Sequence, residues 1–257
     1  MKKMIFKLML AVCLLNIQSL YSQNLVKYYL NGKIGFKNQS GVIIVPAKYD
    51  QVGDFSEGIA KVAIGDKYGS INQIGKEIIP VKYESIGKCS EGLISYRYEV
   101  GSGIYQNGYF NKKGTVEFYY QPEKSIVMFT NDFSDGVAII QMTAVIAEYL
   151  YITAYSCINK QGELLFDFDE DIRSVEPFSE GYSAVRFSDN KWGYINKQGQ
   201  LAISKRWDDA KSFKNGKAEV MIKEKNTKYD DYDEYSEEYL YWYYSINKNG
   251  DIIENLN

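Results

Sequence analysis

The chain has 257 residues, 45% of them apolar and 25% charged, a composition that fits a globular protein and excludes a disordered one. It carries 24 tyrosines, four prolines and no histidine. Without histidine there is no Ser-His-Asp or Cys-His relay, no His-ligated zinc and no neutral-pH imidazole acid or base, although carboxylates, Tyr, Lys and Cys remain available.

The first predicted element is a secretory signal over residues 1–22. Lys2, Lys3 and Lys7 give a positive start, Leu8 to Leu15 is an unbroken apolar run, and Leu20-Tyr21-Ser22 precedes Gln23. The run is too short to span a bilayer, so cleavage after Ser22 and export are expected, to the periplasm, the outer surface or the medium. Cys13 lies inside the run, but Val12 precedes it where lipidation wants a small residue, so lipidation at Cys13 is not expected. Cleavage removes three lysines and no acids, leaving 27 basic against 33 acidic residues, a net of −6. That surface repels phosphate, so nucleic acid is not an expected partner. No transmembrane segment is read after Gln23. Cys89 and Cys157 survive export, and an oxidising compartment would permit their pairing. Cys89 stands in a slot that other copies of a repeat fill with Phe, which suits a buried thiol instead.

From Gln23 onward the chain reads as a β domain, residues 23–257, with Tyr favouring half-buried strands. Six copies of a short unit recur. The clearest is Lys191-Trp192-Gly193-Tyr194-Ile195-Asn196-Lys197-Gln198-Gly199; relatives end at Gly41, Gly75, Gly114, Gly162 and Gly250. All six contain Asn-x-x-Gly. Asn opens a type I turn by bonding the backbone two residues on, and Gly closes it in the left-handed conformation, with a bulge expected there. Extended runs follow, such as Val42-Ile43-Ile44-Val45-Pro46, with Pro46 and Pro80 expected at strand ends. A second element precedes the last five copies: Phe55-Ser56-Glu57-Gly58, Cys89-Ser90-Glu91-Gly92, Phe133-Ser134-Asp135-Gly136, Phe178-Ser179-Glu180-Gly181 and Phe213-Lys214-Asn215-Gly216. It reads as a turn with an apolar anchor. Turn Gly and next anchor are 14 residues apart in three copies, whereas anchor turn and hairpin are separated by 17 residues in one copy and 34 in another. Insertions therefore collect in one connection per repeat.

The pattern resembles the WG-repeat family, named for a Trp-Gly like Trp192-Gly193, and the likeness extends to the Phe-x-x-Gly turn, the Ile-Pro ending and the Tyr-Asp beyond it. Tyr68, Ile34, Asn107 and Tyr155 replace Trp in other copies, and Ser156 and Tyr244 replace Gly. The resemblance implies an all-β array of about six antiparallel hairpin or three-stranded repeats, a curved solenoid or a propeller-like ring. It also implies a binding or scaffold role, with no general catalytic residues to carry over.

One unit cannot bury both faces of its sheet, so the copies must stack or close on each other. Residues 224–244 form the longest insertion, in which seven acids alternate with seven tyrosines and Trp242. Its centre, Tyr229, Asp230, Asp231, Tyr232, Asp233, Glu234 and Tyr235, reads as a solvated hairpin tip, a partner-binding loop or an oxygen-ligand site for calcium without a known calcium-loop spacing. Asp50, Glu84 and Asp208 recur at equivalent positions; they suit turn bonding or surface pairs, with glycoside hydrolysis as the chemical alternative. Tyr68, Trp192, Tyr155 and Tyr243 read first as packing residues and second as a sugar-binding face. Met142 to Tyr155 fits a buried strand pair or a short helix. The function expected is an exported, non-catalytic module for a protein or glycan ligand, with no cofactor. The alternatives are a carboxylate-based polysaccharide hydrolase and a purely structural envelope protein.

Overall fold

A computed structural model describes residues 25–120, 126–147, 150–226 and 239–257; the signal expected over 1–22 lies outside them. Every regular element among the described residues is a strand, in six antiparallel sheets. The first holds β1 (Val26–Leu30), β2 (Lys33–Lys37) and β3 (Ile43–Tyr49). The second holds β4 (Gln51–Val52), β5 (Ile59–Ile64), β6 (Lys67–Asn72) and β7 (Glu77–Tyr83). The third holds β8 (Ser85–Ile86), β9 (Leu93–Gly101), β10 (Ile104–Asn111) and β11 (Val116–Tyr120). The fourth holds β12 (Ile126–Thr130), β13 (Val137–Ala147), β14 (Leu150–Asn159) and β15 (Leu164–Asp167). The fifth holds β16 (Ile172–Val175), β17 (Tyr182–Phe187), β18 (Trp192–Asn196) and β19 (Leu201–Trp207). The sixth holds β20 (Asp209–Ala210), β21 (Ala218–Lys225), β22 (Tyr239–Ile246) and β23 (Ile252–Asn255). Two compact units, Met1–Gln121 and Pro122–Asn257, hold three sheets each. No helix among the described residues is long and apolar enough to cross a membrane.

The array of antiparallel repeats is as expected, and each sheet after the first gains a fourth strand, in three cases only two residues long. The Asn-x-x-Gly turns form as read. Asn196 Oδ1 accepts from the N–H groups of Gln198 and Gln200, both at 3.0 Å, and Gly199 N–H donates to Asn196 O. A one-residue register shift sits beside the turn in all six copies.

A second irregularity explains the Gly of Trp-Gly. Pairing jumps by two residues between Tyr68↔Tyr83 and Ser70↔Ile79, and likewise at Gly35 and Gly193. The bulges over Gly35 and Gly69 contain Pro46 and Pro80, so these prolines lie inside seven-residue strands and not at strand ends. A bulge tolerates the missing N–H as well as a strand end does. The bulged backbone crosses directly over the glycine: a Cβ on Gly69 would lie 2.6 Å from Ile79 O and 2.8 Å from Val81 N. Where Ser156 and Tyr244 replace Gly, the double shift is missing and a side chain fits.

The anchor turns are two-residue hairpins. Ser56 and Ile59 exchange both backbone hydrogen bonds, and Glu57 and Gly58 between them have φ of 50° and 84°, the signature of a type I′ turn. Asn would suit the first left-handed position better than Glu. The acid is there because it reaches the next sheet. Glu57 Oε2 accepts from Gly92 N–H at 3.1 Å, Asp135 from Gly181 N–H, and Glu180 from Gly216 N–H at 2.9 Å. The serines extend the same ladder: Ser56, Ser134 and Ser179 donate to the carbonyls of Cys89, Phe178 and Phe213. Lysines of the neighbouring Asn-x-x-Gly turns complete it, with Lys248 Nζ 3.2 Å from Glu180 and Lys197 Nζ 3.0 Å from Asp135.

Acid should loosen this ladder. The Gly216 N–H, and behind it Lys248, hold the Glu180 carboxyl below its ordinary 4.5 against desolvation. A depressed folded pKa gives stability that is complete above the unfolded value and lost as pH falls through the folded one. Thermal midpoints should therefore fall between about pH 5 and pH 3, and Glu180→Gln should flatten that limb. An acid limb parallel to wild type would show that the contact contributes nothing.

Apolar clusters fill the space between successive sheets of each unit. In the first unit, Phe36, Val45 and Tyr49 meet Val62 and Ile71, while Ile79 and Tyr83 meet Ile94 and Tyr96. In the second, Ile139 and Cys157 meet Phe178 and Val185, and Trp207 meets Phe213 and Val220. Cys89 and Cys157 are both buried free thiols, which excludes the disulfide alternative, since each is packed within its own cluster. Burial pushes them up to about 11 and about 12, far from a reactive thiolate. Met142 to Tyr155 is a strand pair, as one reading held, but it is not buried: Ile152, Thr153 and Ala154 are exposed and Met142 to Ala144 half-buried.

Candidate functional site

The expected sites fare differently. Tyr229, Asp230, Asp231, Tyr232, Asp233, Glu234 and Tyr235 lie outside the described residues; the segment's stem is the β21–β22 pair, closing at Lys225↔Tyr239. Asp50, Glu84 and Asp208 pair with the lysine that opens the same repeat. Lys33 Nζ is 2.6 Å from Asp50, Lys191 Nζ is 2.7 Å from Asp208, and Lys67 bonds Glu84. Asp50 also accepts from Gly65 N–H and Asp208 from Lys223 N–H. The acid thus closes each corner between two sheets. Among the aromatic series, Tyr68, Trp192 and Tyr155 pack half-buried against core clusters, and Tyr243 is exposed. Among the described residues, no group of three His, Cys, Asp or Glu could hold a metal ion.

Sequence reasoning passed over a cleft of about 900 Å³ in the second unit. One wall is β14, through Ile152, Thr153, Ala154 and Tyr155; the other is the connector from Phe168 to Arg173. β13 and β14 are longer than their counterparts in the second and fifth sheets, and β15 pairs only with Ser156, Cys157 and Ile158. The hairpin therefore projects past its covering strand, and the connector crosses below it. Phe168 and Ile172 are buried and anchor the connector, which turns at Asp169 through Ile172 N–H to Asp169 O at 3.0 Å.

That turn lifts Asp169 and Glu170 to the exposed surface. Asp171 is tied back by the Ser188 hydroxyl, which holds its carboxyl below the ordinary range with help from Lys205 at 3.4 Å. Arg173 Nη1 donates to Glu170 O at 2.5 Å. Tyr155 closes the deep end, donating to Arg173 O at 3.1 Å, and burial pushes its phenol up. The result is a ligand-sized cleft with an apolar strand on one side and acids on the other.

The repeat units carry a matching family signature. The model of the WG containing repeat matches residues 34–68, 68–99, 155–192 and 192–225, more than half of the chain. The protein belongs to the WG-repeat family. The four matches meet in pairs on Tyr68 and Trp192, the aromatic beside the bulge-covered glycine. No curated protein matches this WG-repeat chain. Among solved structures, the computationally designed protein Ika8 aligns over 91% of this chain and 84% of its own, at 11% identity and a TM-score of 0.39. A prolyl endopeptidase structure aligns over 91% of this chain and 40% of its own, at 8% identity and a TM-score of 0.53. The second likeness is one of fold alone, and the WG-repeat chain spans about two fifths of that protein.

Proposed function

We propose that this WG-repeat protein is an exported, non-catalytic binding module that holds a protein or glycan ligand in the cleft of its second unit. The cleft carries the reading: it combines ligand-sized volume, exposed apolar side chains and converging polar groups, and it arises from an insertion in the connection that tolerates insertions. The lysine-led apolar segment over residues 1–22 supports export. The recurring carboxylates support a non-catalytic role, because Asp50, Glu84 and Asp208 are each held by a lysine that keeps the repeats joined.

The test compares the mature chain with Ile152→Arg. Ile152 is 55% exposed, so the substitution changes stability by no more than about 0.5 kcal/mol while it fills the cleft with charge. Both proteins are immobilised and exposed to a cell-envelope extract and to a glycan array. The expected result is a ligand retained by wild type and lost on Ile152→Arg. Equal retention by both proteins, or none by either, refutes the reading.

A further inference from the structure

We propose that the cleft takes an extended, basic peptide segment as an added strand on the open edge of β14. The inference rests on the cleft being the binding site and names the class of ligand.

β14 pairs with β13 from Leu150 to Asn159, but with β15 only from Ser156 to Ile158. The last backbone bond on the β15 side is Phe168 N–H to Tyr155 O at 2.9 Å. That bond sets the phase of the strand: the backbone groups of Tyr155 point away from β13, and by the two-residue period so do those of Thr153. The 3.1 Å contact between the Thr143 and Thr153 hydroxyls agrees, because side chains approach most closely at such non-hydrogen-bonded pairs. The N–H and C=O of Thr153 therefore look into the cleft, and no strand of the described residues covers them. The opposite edge of the hairpin is occupied, since β12 pairs with β13 from Ile140 to Ala144.

Open edges are normally blunted by charge, proline or a bulge. Ile152, Thr153 and Ala154 bring none of these. An unprotected edge inside a cleft is a template for one more strand, whose main-chain bonds give affinity while alternate side chains give specificity. The facing wall selects the charge. Asp169 and Glu170 are exposed, Arg173 is turned onto the Glu170 carbonyl, and Asp171 is the one of the three acids that pairs with a lysine among the described residues. An incoming strand with Lys or Arg at alternate positions matches these acids, and the apolar residues on its other face lie beside Ile152 and Ala154, which share one face of β14.

A random dodecapeptide library displayed on phage is panned over the mature protein, and the selected peptides are synthesised and titrated. Peptides in which Lys or Arg alternates with β-branched or aromatic residues are expected. Thr153→Pro removes the outward N–H without touching the β13 ladder and should weaken them about tenfold or more. Thr153→Val keeps the N–H and should retain most of the affinity that Thr153→Pro loses, which separates the backbone from the hydroxyl. Glu170→Lys should weaken the same peptides to a similar degree, and methylating alternate peptide amides should abolish binding. Selection without basic enrichment, or equal binding to Thr153→Pro with its thermal midpoint unchanged, overturns the proposal. If a glycan is retained in an Ile152-dependent way while no basic peptide emerges, the cleft stays a binding site and the added strand falls. If neither ligand emerges, both fall.

Discussion

Replacing Gly69 with valine lowers the stability of the first unit by about 3 kcal/mol, and alanine at the same position already costs about 1–2 kcal/mol. The reason is the bulge that carries Pro80. A Cβ at Gly69 would stand 2.6 Å from Ile79 O and 2.8 Å from Pro80 C, and both belong to the backbone of β7, whose pairing with β6 resumes on each side of the bulge. The bulge cannot retreat alone, because Ile79 and Tyr83 on either side of it are buried against Ile94 and Tyr96. Tyr244→Val serves as the control. It occupies the equivalent slot in a sheet without the double shift and should cost less than about 1 kcal/mol. Urea melts of the three variants check the account, and an unchanged midpoint for Gly69→Val would remove the explanation of the family's glycine.

Trp207→Ala is expected to cost the second unit about 3–5 kcal/mol, enough to leave its native state marginal. Trp207 is fully buried between Tyr194, Ile203 and Phe213, and pairs across strands with Trp192. The loss is one of packing, because the indole Nε1 has no hydrogen-bond partner among the described residues. Tyr49 and Tyr83 fill the same place in the first two repeats, so Trp207→Tyr should keep most of the stability. Denaturant midpoints for the two variants would separate the cases; equal losses would mean that the site demands indole specifically.

The repeats were legible because their turns depend on backbone chemistry that few residues satisfy. Asn196 and Gly199 announce their turn as plainly as any residues in the chain, and Cys89 disclosed its burial by standing where Phe178 stands. The two-residue edge strands were not legible, because two residues such as Gln51–Val52 carry no period. Glu57 and Glu180 hid the type I′ turn, since a carboxylate is a poor left-handed residue until the neighbouring sheet supplies the N–H that it accepts. The cleft was missed because its walls come from a strand and a separate connector, and Ile152 and Glu170 have no chemical marker in common. One signal was present: 26 residues separate Gly136 from Gly162, against 17 between Gly58 and Gly75, so the hairpin had to outrun the strand beside it.

Hydrogen–deuterium exchange on the chain from Gln23 onward, with and without the ligand eluted from the immobilised protein, tests the binding cleft most directly. The account predicts slowed exchange at residues 151–155 of β14 and along the connector from Phe168 to Arg173, with the first unit unchanged. Protection confined to the first unit, or spread evenly over all six sheets, would contradict it.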